Sequence, residues 1–171
     1  MSDLEVVRHA FAWRTTAEAE HDLHQWWGTC APRSPALFAA THFLPEHSGV
    51  AVTIEHADGE LTVIGAGDPS HAGWALEHHR HRTGGRLFLF PGSQSLVGTT
   101  AVGAVLGLTA VDEVVGIGVP SVDASTPLHT QEFVRPTFER GRVRLLVRPA
   151  PGGAVVPFEQ PEPTPCCATH G

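Results

Sequence analysis

Residues 87–111 carry no ionisable side chain, and this stretch limits the fold more than any other feature of the chain. It lies between Arg86 and Asp112 and is long enough to suit a membrane span. Pro91-Gly92-Ser93-Gln94-Ser95 interrupts it, however, and its second half is rich in Gly and Thr. The pattern fits two buried elements in succession. Residues 86–90 are apolar after Arg86, as expected of a strand covered on both faces. Residues 95–108 are predicted to form a helix. Gly98, Gly103 and Gly107 lower its intrinsic stability, so it needs to be packed. These elements point to a sheet with helices laid on it and give no membrane partner.

Punctuation on either side extends the reading. Thr15-Thr16-Ala17-Glu18 is a capping-box pattern that predicts a helix start. In that helix Ala19, Leu23, Trp26 and Trp27 share one face, and His21, His24 and Gln25 the other. Residues 4–13 alternate and read as a strand, whereas residues 35–44 suggest a short helix. Residues 50–55 and 61–64 flank His56-Ala57-Asp58-Gly59-Glu60 and read as a β-hairpin. Asp68-Pro69 supplies an N-cap and a proline at the first helical position, for a helix that runs to Arg82 and stops at Gly84-Gly85. Residues 114–119 form another apolar strand, and residues 120–132 read as a loop. Residues 142–148 alternate, and Pro151-Gly152-Gly153 turns the chain into a second hairpin with 154–158.

The stretch 61–119 thus reads strand-helix-strand-helix-strand, which predicts three parallel strands joined by right-handed crossovers. The expected fold is a single mixed α/β (or α+β) domain over residues 1–159. Its one mixed sheet has that parallel βαβαβ centre, with antiparallel strands flanking it and helices packed on it. Residues 160–171 follow as a Pro-rich tail bearing Cys and His.

The chain has 171 residues and 18.2 kDa, the size of one domain. A net charge of −7 argues against nucleic acid as a partner. There is no Lys, Tyr or Asn, which removes a Schiff-base lysine, a phosphate-loop lysine and a tyrosine acid. Three cysteines, two of them adjacent, do not make a disulfide scaffold. The opening MSDLEVVRHAFAW has no apolar signal core, so a cytoplasmic location is expected. Twelve histidines make the surface charge responsive to mild acid.

Three sets of residues suggest chemistry. The first is the edge where the parallel strands would end, with turns at 65–70, 91–95 and 118–123. There Asp68 or His71 is a candidate base, and Ser93 and Ser95 open a helix whose N–H groups favour an anion. Gly65-x-Gly67-x-x-Ser70 departs from a dinucleotide fingerprint at its third glycine and at Asp68, so no nucleotide cofactor is expected. Ser93 and Ser95 also lack nucleophile-elbow spacing. The second set is Cys166, Cys167 and His170, whose thiolate and imidazole donors suit zinc or copper, with a further ligand from Cys30, His42 or His47. The third is the helix at 69–82. It places His71, Trp74, His78 and His81 on one face, while His79 on the other is expected to be a hydrogen-bonded core histidine. Trp74 is then either an exposed anchor or a covered core residue. Arg142 and Arg144 share a strand face that suits a solvated edge.

Three functions follow. The leading one is a binding module that holds a transition metal through Cys166, Cys167 and His170 with Cys30 from the body. The second is a small enzyme or ligand-binding domain for a polar or anionic metabolite at the strand-end cleft. The third is a non-catalytic protein-interaction domain that uses its histidine and arginine faces.

Overall fold

The computed structural model describes residues 13–27, 36–47, 49–119 and 121–160. The expected strand at 4–13, except Trp13, and the tail beyond Gln160 lie outside the described residues.

The capping box forms. Glu18 N donates to Thr15 Oγ1 at 3.2 Å and Thr15 N to Glu18 Oε2 at 3.2 Å, which opens α1 (Thr16–Trp27). Ala19 and Leu23 on its inner face are buried. Next comes β1 (Ala36–Phe43), where the alanine-rich sequence suggested a helix. Ala39, Ala40, Thr41 and His42 are all buried, so this strand is covered on both faces and small side chains are what fit there. Tertiary packing overrides local propensity at this point.

β2 (Val50–His56) and β3 (Leu61–Ile64) make the expected hairpin. At its end Gly65 takes a φ of 77°, and a Cβ there would stand 2.7 Å from the Trp13 ring. Only glycine meets both demands.

Asp68 then caps α2 (Pro69–Arg80), accepting from Ser70 N at 2.8 Å and His71 N at 3.0 Å. The helix stops at Arg80, two residues short of the expected end at Arg82 and with three residues left before the glycine pair. Arg82 N donates to His79 O, Thr83 N donates to His78 O, and Arg82 itself takes the left-handed position at φ 52°.

β4 (Arg86–Leu89) follows, then a 3₁₀ turn at Ser93–Ser95. The helix expected over 95–108 is shorter: β5 (Thr99–Ala101) precedes α3 (Val102–Leu108). Gly98, at φ 66°, breaks the run, and the β-branched Thr99 and Thr100 pair in a sheet. β6 (Glu113–Gly116) comes next. The supposed loop contains β7 (Pro127–His129), and an unexpected β8 (Thr137–Glu139) precedes the hairpin of β9 (Arg142–Pro149) and β10 (Val155–Pro157).

Among the described residues, ten strands join one mixed sheet in the order β3-β2-β1-β4-β8-β9-β10-β7-β5, with β6 also on β9. The mixed α/β class stands, in its α+β form, but the parallel βαβαβ centre does not. β3 pairs with β2, β4 with β1 and β8, and β6 with β9, so none of the three touches another. The parallel pairs are β6 with β9 and β10 with β7. Crossover helices constrain direction only when their two strands become neighbours; here β1 and β2 lie between β3 and β4.

The first half of the sheet is a three-layer unit. Val50, Val52 and Ile54 pack with Trp13, Ala19 and Leu23 on the α1 side. Ala51 and Val63 pack with Ala72, Ala75 and Leu76 on the α2 side. The second half wraps a core that includes Leu87, Phe90, Val105, Leu128, Phe138 and Leu145. Among the described residues, no helix is long and apolar enough to cross a membrane.

Candidate functional site

The alternation of β2 decides where chemistry can sit. Val50, Val52 and Ile54 face α1, so Thr53 and Glu55 face α2. Thr53 is a lone hydroxyl in an apolar run and must find partners when buried. It finds two imidazoles. His42 Nε2 lies 2.7 Å from Thr53 Oγ1, and His79 Nδ1 lies 2.7 Å from the same oxygen. His79 Nε2 is 3.0 Å from Glu55 Oε2, which Arg82 Nη2 also reaches at 2.7 Å. The Arg82 guanidinium lies over Phe38 and Phe138, 4.4 and 4.2 Å from their ring centroids. That clamp offsets the cost of about 1 kcal/mol for a non-glycine residue in the left-handed region.

The proton order along this chain follows from its end. An ionised carboxylate only accepts, so His79 Nε2–H donates to Glu55. His79 Nδ1 is then an acceptor and takes the Thr53 hydroxyl proton. Thr53 Oγ1 in turn accepts from His42 Nε2–H. His42 Nδ1 is left bare at one end of this chain, buried without a hydrogen-bond partner, as is Arg82 Nη1 at the other end. Both imidazoles are held neutral. Burial, then the neighbouring His79 and His78, pushes the His42 pKa down to about 3. Burial also lowers that of His79, against the pull of Glu55. A hydroxyl, an imidazole and a carboxylate in this sequence resemble an activated nucleophile. Thr53, His42 and His79 are each 2% exposed or less, so no substrate atom reaches the hydroxyl. The chain ties β1, β2 and α2 together.

A second polar cluster joins α1 to the sheet. Arg86 pairs with Glu20 and Glu159, and Arg135 reaches Glu20 Oε2 through Nη2 at 2.8 Å. Beside it, β8 and β10 pair with different parts of β9, leaving a cavity of about 230 Å³. Leu145, Leu146, Pro157 and Phe158 line it with Arg135 and Arg144. Its arginines are already committed: Arg135 to Glu20, and Arg144 to Glu139 at 2.7 Å.

No family model, curated protein or solved structure matches this chain.

The residues singled out from sequence are dispersed. β3 and β4 run in opposite directions, so the turns after them leave opposite ends of the sheet. Asp68 and His71 are therefore separated from Ser93 and Ser95, because the shared edge depended on the parallel centre. Asp68 caps α2 and meets His71 Nδ1 at 2.9 Å; the Ser70 hydroxyl, then the backbone, hold its carboxyl below the usual carboxylate value. Ser95 Oγ donates to Gly92 O at 2.7 Å within its own turn. Trp74 is partly covered, with His78 4.2 Å away, ring centroid to centroid, and His42 edge-on at 6.3 Å. His79 is the hydrogen-bonded core histidine that was expected. Cys30, Cys166, Cys167 and His170 lie outside the described residues, and His42 is committed to Thr53. Among the described residues no three His, Cys, Asp or Glu side chains gather as metal ligands. Sequence reasoning missed Thr53, Glu55 and Arg82. A hydroxyl interrupting the apolar run of residues 50–54 was the available signal.

Proposed function

We propose that this domain works by contact with another protein surface, and that the contact is the uncharged stretch around β5 and α3. One observation carries the reading. Val97, Leu106 and Leu108 are 63%, 40% and 70% exposed within residues 87–111, which have no ionisable side chain on a chain of net charge −7. The segments adjoin: Ala110 N donates to Pro91 O, and Gly92 lies against the Leu108 carbonyl. Large apolar side chains left bare in an uncharged region mark an interaction surface. The commitment of Asp68, Ser95, Thr53 and Arg135 to internal bonds supports a non-catalytic role. The contact surface moves from the histidine helix to β5 and α3, because Trp74 is partly covered. The test places a photoreactive amino acid at Leu108 and, as control, at Arg140, whose side chain is 89% exposed. Intermolecular cross-links are expected from position 108 and not from 140. Equal, background yields at both positions would remove the proposal.

A second reading is metal holding by Cys166, Cys167 and His170 with Cys30, and one observation favours it. Arg86 binds both Glu20 of α1 and Glu159, the penultimate described residue. From Glu20, the helix advances about 10 Å to Trp27, three residues short of Cys30. From Glu159, an extended chain reaches about 24 Å by Cys166. Both thiol segments thus start from one anchor. Metal analysis of chelator-free protein is expected to find about one zinc or copper per chain, lost on replacing Cys166 and Cys167 by Ser. Stoichiometry near zero removes this reading.

A further inference from the structure

The surface proposed above has an open sheet edge, and we infer that its partner is a second copy of this chain, paired antiparallel through β5 about a two-fold axis at Thr100. This rests on the contact reading and names its partner. Among the described residues β5 is the last strand of the order and pairs only with β7. Thr130 N donates to Gly98 O at 2.8 Å, and Val102 N to Thr126 O at 3.0 Å. Those bonds fix which groups face β7: Gly98, Thr100 and Val102. By alternation, the Thr99 N–H and C=O and the Ala101 N–H face outward. The Ala101 carbonyl belongs to the first turn of α3, which Ala101 caps.

An antiparallel pair centred on Thr100 sets Thr99 opposite Ala101 of the second copy. The Ala101 N–H then donates to Thr99 C=O of the other copy, and the symmetry mate of that bond forms at the same time. The same register lays Val97 beside the start of the other copy's α3, and so covers an exposed side chain.

Charge selects this edge over the others. β3 ends the sheet on its far side, but Asp58, Glu60 and Asp68 flank it, and two copies of an acidic chain repel there. The free side of β6 begins with Glu113. Strand edges are ordinarily guarded by charge or proline. β5, the sequence Thr-Thr-Ala, has neither, and two copies meet there without like charges opposed.

Ala101→Pro is the decisive variant. Ala101 has φ −79°, within the range of proline, and its N–H faces outward, so the monomer accepts the change while the donor is lost. Ala101→Ser keeps the N–H as a control. Sedimentation equilibrium from about 1 µM to 1 mM is expected to show the wild-type mass rising above 18.2 kDa toward the dimer. Ala101→Pro weakens association by about tenfold or more, with an unfolding midpoint equal to that of wild type at dilutions where both are monomeric, and Ala101→Ser behaves as wild type. A wild-type chain that stays monomeric throughout, or an Ala101→Pro chain that associates equally, overturns the inference. Monomeric wild type that still cross-links from position 108 to a different protein ends self-pairing and leaves the contact reading standing. Absence of any intermolecular cross-link from 108 ends both.

Discussion

Thr53→Val is expected to destabilise the protein by about 4 kcal/mol, against about 1 kcal/mol for Thr53→Ser. Valine matches threonine in shape, so the difference isolates the hydroxyl. Without it, His42 Nε2–H has no acceptor and His79 Nδ1 has no donor, both wholly buried. A buried polar group stripped of its partner costs about 1–3 kcal/mol, and two are stripped at once. Neither ring is free to turn away. Glu55 holds His79 from its other nitrogen, and His42 is wedged between Trp74 and Gly85, where an added Cβ would stand 2.7 Å from His42 Cε1. Serine restores the hydroxyl and loses only a methyl group. Urea unfolding at pH 7 with an unchanged m value gives the comparison. Equal costs for the two variants would show that this chain does not hold β1 and β2 to α2.

Why the sequence reveals α2 but not this chain is a matter of range. The Thr15–Glu18 capping box, the Asp68-Pro69 start and the turn between β2 and β3 are set by neighbours within a few residues, and each is visible as a pattern. The alternation of β9 is equally local: Val143, Leu145 and Val147 are buried as expected. Strand order is not local. The spacing of β3, β4 and β6 around two helices is compatible with a parallel centre, and nothing in those residues says that β1 and β2 will stand between β3 and β4. β1 misleads because Ala39 and Ala40 favour a helix in isolation, and only the layers on either side make a strand of them. The end of α2 misleads for a similar reason. Gly84-Gly85 is the cheaper stop, but Glu55, Phe38 and Phe138 hold the Arg82 side chain and bring the left-handed turn forward. His79 was legible as a buried histidine from helix periodicity, while its partner Thr53 required the pairing of β2 with α2. The strand-end grouping of Asp68, His71, Ser93 and Ser95 depended wholly on the parallel centre and dispersed with it.

Acidification from pH 6.5 to 4.5 is expected to remove several kcal/mol of stability, through His42 and His79. In the unfolded chain an imidazole takes its proton near pH 6.5; in the folded protein His42 remains neutral down to about pH 3, and His79 is lowered in the same direction. The unfolded state therefore binds more protons throughout that window, so stability is fully present above pH 6.5 and falls as the pH drops. His42 alone contributes about 1.4 kcal/mol per pH unit, which reaches about 2 kcal/mol by pH 5, and His79 adds to it. The groups facing this pair are Glu55 from β2, His78 and Arg80 from α2, and Arg82 after it. Arg82 and Arg80 are positive throughout, and their charge opposes protonation of His79 in the folded state. The Asp68 carboxyl, with its folded pKa below the ordinary 3.8, loses its contribution only as the pH falls past that value, outside this window. Urea midpoints at pH 7, 6.5, 5.5 and 4.5 measure the loss. In parallel, the ring nitrogen signals of His42 in the folded protein should stay those of a neutral Nε2–H imidazole down to pH 4.5. A flat stability profile, or a folded-state His42 signal that titrates near pH 6.5, would mean that the ring is not held neutral and that the proton order through Thr53 is wrong.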